Sequence, residues 1–363
     1  MIHILIGTRA QLIKMAPVLL AFERTATPYS LVMSGQHRVT MAALLGEFGV
    51  RTPPVMLYEG EEITGIAQMA RWFPRVLWRA WRDRARLFPR GVKDCMVVHG
   101  DTISTLLGAL LGRLLRMQVV HVESGLTSGR WREPFPEELT RRLVFRLCDI
   151  AFCPDAWSTK HMRGRAAEVV DTGGNTIFDA VEEARARFAE VALELPPAPY
   201  AVVSLHRFEN IFEAERFEFI VSTLERMAER LPLVFVLHPA TRKQAEKFGL
   251  LARLENHPRI RLEARMTYVP FLKLLCGARF VVSDGGSNQE ELAWLGIPTL
   301  LMRDATERRD GLEEGVVLSH YDPAVIERFV TQALEGAPTR PTRRAQGRPA
   351  LLIAARLAAK FGA

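Results

Sequence analysis

Cysteine is scarce, with four in 363 residues (Cys95, Cys148, Cys153 and Cys276), and their spacing shows neither pairs nor a metal-ligand pattern. That argues against a disulfide-stapled secreted scaffold and a zinc site, and fits small apolar core residues in a reducing cytoplasm. Long apolar runs are missing too. The richest, residues 106–120, is interrupted by Arg113 and Arg116, short of the ~20 residues that cross a bilayer. The opening MIHILIGTR has no basic leader or small-residue cleavage site, so a first strand is expected there and not a signal peptide. Neither Gly-x-x-x-x-Gly-Lys-Ser/Thr nor Gly-x-Gly-x-x-Gly occurs, which argues against a P-loop kinase or an NAD enzyme. No short repeat or low-complexity tract is present.

What is there is soluble globular composition, 48% hydrophobic and 25% charged, in a chain long enough for two domains. The formal net charge of +7 suits an anionic ligand or surface. Much of it lies in residues 71–90, where Arg71, Arg75, Arg79, Arg82 and Arg86 recur at helical spacing around Trp72, Trp78 and Trp81. The ordinary expectation is a solvated helix with its tryptophans turned inward. The functional alternative is weak peripheral contact of 71–90 with an anionic membrane, or a nucleic-acid contact.

Short apolar runs ending in glycine or polar residues recur at 2–6, 29–34, 94–99, up to Glu123, and at 149–153 and 169–172. A second series lies at 200–205, 233–237, 280–283 and 297–302. Helical stretches alternate with them, including 104–115, about 177–193 and a tail from about Arg344 to Phe361, and a proline-rich link covers 195–199. Strand and helix in alternation give an α/β fold of two Rossmann-like doubly wound domains facing a central cleft, a glycosyltransferase-B-like arrangement. The expected divisions are 1–173, 174–342 and a helix in 343–363 packing back on the first domain.

In such sheets ligands bind at the carboxyl ends of the strands. The first run ends in Gly7 with Arg9 and Lys14 close behind, two cations at a helix start that suit phosphate. Asp101 and Glu123 each follow an apolar run and a histidine, which puts both acids on one sheet edge. Between His121 and Arg142 a glycine-containing loop leads to Pro134-Phe135-Pro136 and then Glu137-Glu138. Acids at a helix start are ordinarily caps; several carboxylates in one connection make a site the stronger reading. In the second half, Gly285-Gly286-Ser287 before a helix is the best anion site, and Glu290 or Glu291 suits ribose hydroxyls better than phosphate. A lone His206 reads as a core or capping residue, but within His-Arg-Phe-Glu-Asn at a strand end it reads as catalytic.

The blocks GTRAQLIKMAPV, SGQHR, VHGDT, HVESGLTSG, PFPEELTRR, NTIFDA, SLHRFEN, DGGSNQEE and LLMRDATER, in this order from Gly7 to Arg308, resemble the UDP-N-acetylglucosamine 2-epimerase family. The resemblance implies a UDP-sugar as the ligand, no metal or other cofactor, no nucleic acid, a cytoplasmic homodimer, and a role in making precursors of surface polysaccharide. It implies catalytic roles for Asp101, Glu123, Glu137 and His206. UDP contacts fall on Arg9, Lys14, Phe271, Gly285, Gly286, Ser287, Glu291 and Arg308, and the Arg141 position is functional as well. There are departures: Ala10-Gln11 where the family has Pro-Glu, DGGSNQEE for Asp-Ser-Gly-Gly-Ile-Gln-Glu-Glu, an extra glycine before Asn175, and Met266 for a polar residue. These bear on the sugar's substituents more than on the fold.

The chemistry agrees with the resemblance. The C2 proton of the sugar has no adjacent carbonyl, but losing UDP first leaves positive character at C1, which acidifies C2 and which carboxylates stabilise. Anti elimination to a 2-acetamidoglycal and re-addition from the other face is therefore the expected, non-hydrolysing isomerase reaction. The alternatives are a hydrolysing 2-epimerase releasing N-acetylmannosamine and UDP, a glycosyltransferase on the same fold, and a non-catalytic basic module acting through 71–90.

Overall fold

The structure, a computed structural model, describes all residues except 38–39, 61–62, 64, 128, 130–135, 307–310, 313, 337–346 and 363. It packs as two units, Met1–Glu183 with Ala345–Ala363, and Ala184–Arg344.

The first unit holds a seven-stranded sheet of β1 (Ile2–Ile6), β2 (Tyr29–Met33), β3 (Val55–Met56), β4 (Cys95–His99), β5 (Gln118–Val122), β6 (Ile150–Cys153) and β7 (Glu168–Asp171). Their order is β3-β2-β1-β4-β5-β6-β7, and every pairing is parallel. All residues of β1 and β4 are buried, as expected of central strands covered by helices on both faces. The second unit holds β8 (Ala201–Ser204), β9 (Leu233–Leu237), β10 (Ile260–Ala264), β11 (Val281–Ser283), β12 (Thr299–Leu301) and β13 (Val316–Leu318). The order β10-β9-β8-β11-β12-β13, again all parallel, repeats the plan. Strand order reverses beside β1 and β4 in one sheet and beside β8 and β11 in the other. At such points successive loops leave to opposite faces and open a crevice.

At Gly7, just after β1, an added Cβ would stand 2.0 Å from Ser104 Oγ and 2.7 Å from Ser34 Oγ. Both serines are fully buried and hydrogen-bonded to each other at 2.8 Å, so neither can yield. Gly7→Ala is expected to cost about 1–3 kcal/mol by overpacking, read as a lower urea midpoint for this unit.

The boundary lies at Glu183, ten residues beyond the expected 173, because the helix Thr176–Arg185 is seated on the first unit. Arg24 grips Glu183 through two bonds of 2.7 and 2.6 Å, and Asp179 accepts from Ala350 N at 2.8 Å. That helix stops at Arg185 and not near Leu193. Beyond it Lys273 Nζ takes the carbonyls of Phe188 and Val191 at 2.9 and 2.8 Å, partners outside a continuing helix. The tail helix is described from Pro349 to Phe361 and lies against the helix Arg9–Arg24; its expected start near Arg344 falls outside the described residues.

The basic segment forms a helix, Ile66–Arg82. Trp72 turns inward as expected, 3% exposed, but Trp78 and Trp81 are 58% and 45% exposed. The reason is angular: Trp72, Val76 and Ala80, four residues apart, form the buried line, which leaves positions 78 and 81 on the outer arc. No helix among the described residues is long and apolar enough to cross a membrane.

Candidate active site

In the first unit the loops after β1, β4 and β5 meet. β4 and β5 run in register, Val98 beside His121 and His99 beside Val122, so Gly100-Asp101 and Glu123 leave the sheet on one edge. Glu123 has φ +60°, a left-handed conformation costly for a residue with a Cβ. Its carboxylate is held by Lys14 Nζ at 2.9 and 2.8 Å and approached by His99 Nε2 at 3.0 Å. Lys14 and Glu123 are 5% and 9% exposed, so their pairing is a buried one. Lys14, expected to contact phosphate, is thus placed on the Glu123 carboxylate.

His121 stands beside this pair. Its Nε2 donates to Gly100 O at 2.7 Å, which leaves Nδ1 to accept from the Ser124 hydroxyl at 2.9 Å. Both nitrogens are satisfied in the neutral ring. Burial drives its pKa down from 6.5 to about 4, although the carboxylates of Asp101 and Glu123 act in the opposite sense. Burial does the same to His3, also to about 4. Between pH 6.5 and 4 the unfolded chain takes up these protons and the folded chain does not, so stability falls as pH drops through that window. A loss on the order of 3 kcal/mol per histidine is expected, seen as a lower denaturant midpoint at pH 4.5 than at pH 7.

Asp101 accepts from Arg141 Nη2 at 2.5 Å, and the Nη1 of the same guanidinium reaches Glu138 at 3.3 Å. Glu138 is fully buried and also takes Thr127 Oγ1 and, at 3.1 Å, Arg142 Nε. Of the Glu137-Glu138 pair that opens the helix Glu137–Leu147, it is therefore Glu138 that joins Asp101 through Arg141. Glu137 is half-buried, and its Oε2 has no hydrogen-bond partner among the described residues. Gln11, one of the departures, has a role of its own. Its Oε1 accepts from Gly7 N and Thr8 N at 2.9 and 3.1 Å, while its Nε2 donates to His99 O at 2.6 Å. A carboxylate there could not donate to that carbonyl. Arg9 is half-buried at the first position of the helix Arg9–Arg24, whose cap is Thr8.

In the second unit His206 follows β8 and Asp284 follows β11, the neighbours at the reversal point. Asp284 is fully buried. It accepts His206 N at 3.1 and 2.9 Å, Arg207 N at 2.9 Å and Asn210 Nδ2 at 3.0 Å, and its Oδ1 lies 3.2 Å from His206 Nδ1. The imidazole is thereby held at Nδ1, with its side chain 45% exposed. His238 packs at a ring separation of 5.7 Å. The turn Gly285-Gly286-Ser287 comes next: Gly285 caps the helix Gly286–Leu295, whose first N–H groups lack intrahelical partners. A Cβ at Gly285 would lie 3.3 Å from His206 Cε1, so turn and histidine share one small site. That pairing of an oriented imidazole and convergent N–H groups suits a phosphate.

Glu291 is buried, and its carboxylate, with burial first, drives the Tyr268 hydroxyl well above its usual range. Phe271 is half-exposed on the helix Tyr268–Cys276. Arg308 lies outside the described residues. Asp284 and Asn210 carry the geometry without being singled out by sequence, whereas Glu138 and His99 are noted there only as a helix-start acid and as the histidine that precedes Asp101. The available signal for Asp284 was its position, an acid between an apolar run and two glycines.

The sequence profile of UDP-N-acetylglucosamine 2-epimerase matches residues 21–349. A probable UDP-N-acetylglucosamine 2-epimerase of Ralstonia solanacearum is 30% identical over 338 residues, covering 86% of this chain and 85% of its own. The UDP-N-acetylglucosamine 2-epimerase of Methanocaldococcus jannaschii is 29% identical over 332 residues, 86% of each. The crystal structure of the Methanocaldococcus enzyme in complex with UDP-GlcNAc and UDP superposes with a TM-score of 0.76 at 25% identity, covering 99% of both chains. With the profile spanning most of its length, the chain belongs to the UDP-N-acetylglucosamine 2-epimerase family.

Proposed function

We propose that the protein interconverts UDP-N-acetylglucosamine and UDP-N-acetylmannosamine, or a close UDP-2-acetamido sugar, as a homodimer supplying surface-polysaccharide precursors. In the first step a base takes the C2 proton, the C1–O bond to the diphosphate breaks, and its electron pair leaves with UDP. The 2-acetamidoglycal that remains takes UDP oxygen back at C1 and a proton at C2 on the opposite face. No oxidation state changes over the cycle. Inverting C2 needs proton-carrying groups on two faces of the ring, which one carboxylate cannot supply without moving. Asp101, Glu123 and Glu137 are assigned that work and the stabilisation of charge at C1.

The observation that carries this assignment is the carboxyl edge of the first sheet, where Lys14 binds Glu123, His99 Nε2 stands 3.0 Å from the same carboxylate, and Arg141 holds Asp101. His206, oriented by Asp284, donates to the departing diphosphate, with the Gly285–Ser287 turn and Arg9 and Arg308 as further contacts. Glu291 and Phe271 are assigned to the ribose and the base.

Proton NMR of UDP-N-acetylglucosamine with the protein in deuterated water tests the proposal. Deuterium arriving at C2 together with both UDP-linked epimers is expected. Steady accumulation of UDP and free N-acetylmannosamine would assign the hydrolysing reaction, and an unchanged spectrum would remove the epimerase reading.

A further inference from the structure

Residues 66–93 contain eight of the chain's 48 Lys and Arg residues and, in Asp83, one of its 41 acids. Eight cations against one acid leave this segment at +7, while the other 40 cations and 40 acids cancel, so the whole formal charge of +7 resides here. Such concentration is more than solubility requires, and the helix Ile66–Arg82 displays four of the eight cations on one arc, with Arg84, Arg86, Arg90 and Lys93 following it. Because Trp72, Val76 and Ala80 are buried, Arg71, Arg75, Arg79 and Arg82 are turned outward, with Trp78 and Trp81 along one margin. The guanidinium of Arg82 lies 4.7 Å from the Trp78 ring centre and that of Arg84 lies 5.0 Å from that of Trp81.

We propose that this face docks the protein on the surface of an anionic lipid bilayer. Exposed indoles settle at the boundary between headgroups and acyl chains, and guanidiniums pair with lipid phosphates on the water side. With Arg82 over Trp78 and Arg84, just past the helix, over Trp81, each indole enters with a cation already beside it. Docking is in the plane of the surface, since no described helix can cross. A second copy of the chain is a poor occupant, because two-fold pairing would set two +7 segments against each other. Duplex nucleic acid would use the arginines and leave the two indoles without a role.

Flotation of the full chain with vesicles, at physiological salt, tests this without reference to the sugar chemistry. Binding is expected to phosphatidylcholine vesicles containing phosphatidylglycerol and not to pure phosphatidylcholine. Replacing Arg71, Arg75, Arg79 and Arg82 by Gln is expected to weaken it about 10²–10³-fold, at ~5-fold for each cation. Trp78→Ala with Trp81→Ala is expected to weaken it by about tenfold or more and to remove quenching of tryptophan fluorescence by brominated lipid. Equal melting temperatures establish that the variants fold. The proposal is overturned by absence of binding to the anionic vesicles, or by binding and quenching that survive loss of both tryptophans. Tighter binding to single-stranded DNA than to vesicles, or a change of solution mass on replacing the two tryptophans, would assign the face to nucleic acid or to a second copy and overturn it equally.

Discussion

Replacing Glu123 by Gln is expected to slow deuterium exchange at C2 of UDP-N-acetylglucosamine by about 10²–10⁴-fold, the range that a positioned acid or base contributes. Gln keeps the size of the side chain and the φ of +60°, so the backbone strain is unchanged. The charge is not: Lys14, 5% exposed, loses the carboxylate opposite it. Breaking one side of a buried pair costs about 3–5 kcal/mol, enough by itself to lower activity by unfolding the protein. The two causes separate in the double variant Lys14→Met, Glu123→Gln, which removes the ammonium together with its counter-charge. Its melting temperature is expected to recover most of the loss while exchange stays slow. Recovery of exchange along with stability would reduce Glu123 to a counter-ion and leave the proton transfer to Asp101 or Glu137.

The same pair shows where sequence reading reaches its limit. Glu123 is conspicuous in the sequence because it ends an apolar run two residues before a glycine, a local signal. Its partner Lys14 lies 109 residues away, and only the register of β1, β4 and β5 brings them together. Strands follow the same logic. β1, β4 and β9 are buried on both faces, so each reads as an unbroken apolar run. The strands that sequence reading omits, β3, β10 and β13, all stand at sheet edges. β3 has two half-buried residues, and β10 carries Arg261 and Glu263 on its open side, so neither shows an apolar run. The fold class survives such omissions because the central strands define it. For the tryptophans composition was insufficient: Trp72 and Trp78 are alike in sequence surroundings, and only the angle each takes from the buried line separates them.

His206→Ala and Asp284→Asn are expected to lower turnover alike, by about 10²–10³-fold, the cost of losing one oriented donor to a developing anion, but to differ in stability. The His206 ring is 45% exposed, so its removal leaves the second unit's melting nearly unchanged. Asp284 is fully buried and receives donors from His206, Arg207 and Asn210, residues 74 to 78 positions earlier in the chain. An asparagine offers one acceptor oxygen and turns an NH₂ group toward groups that are themselves donors. Each bond so lost costs about 1–3 kcal/mol, so Asp284→Asn is expected to melt earlier than His206→Ala. If the carboxylate serves catalysis only by aiming the imidazole, removing both must cost little more than removing the histidine alone. Single-turnover rates for the two variants and their combination measure this. A combined loss near the product of the separate losses would mean that Asp284 acts on the diphosphate site by another route, through the backbone of the glycine turn it precedes.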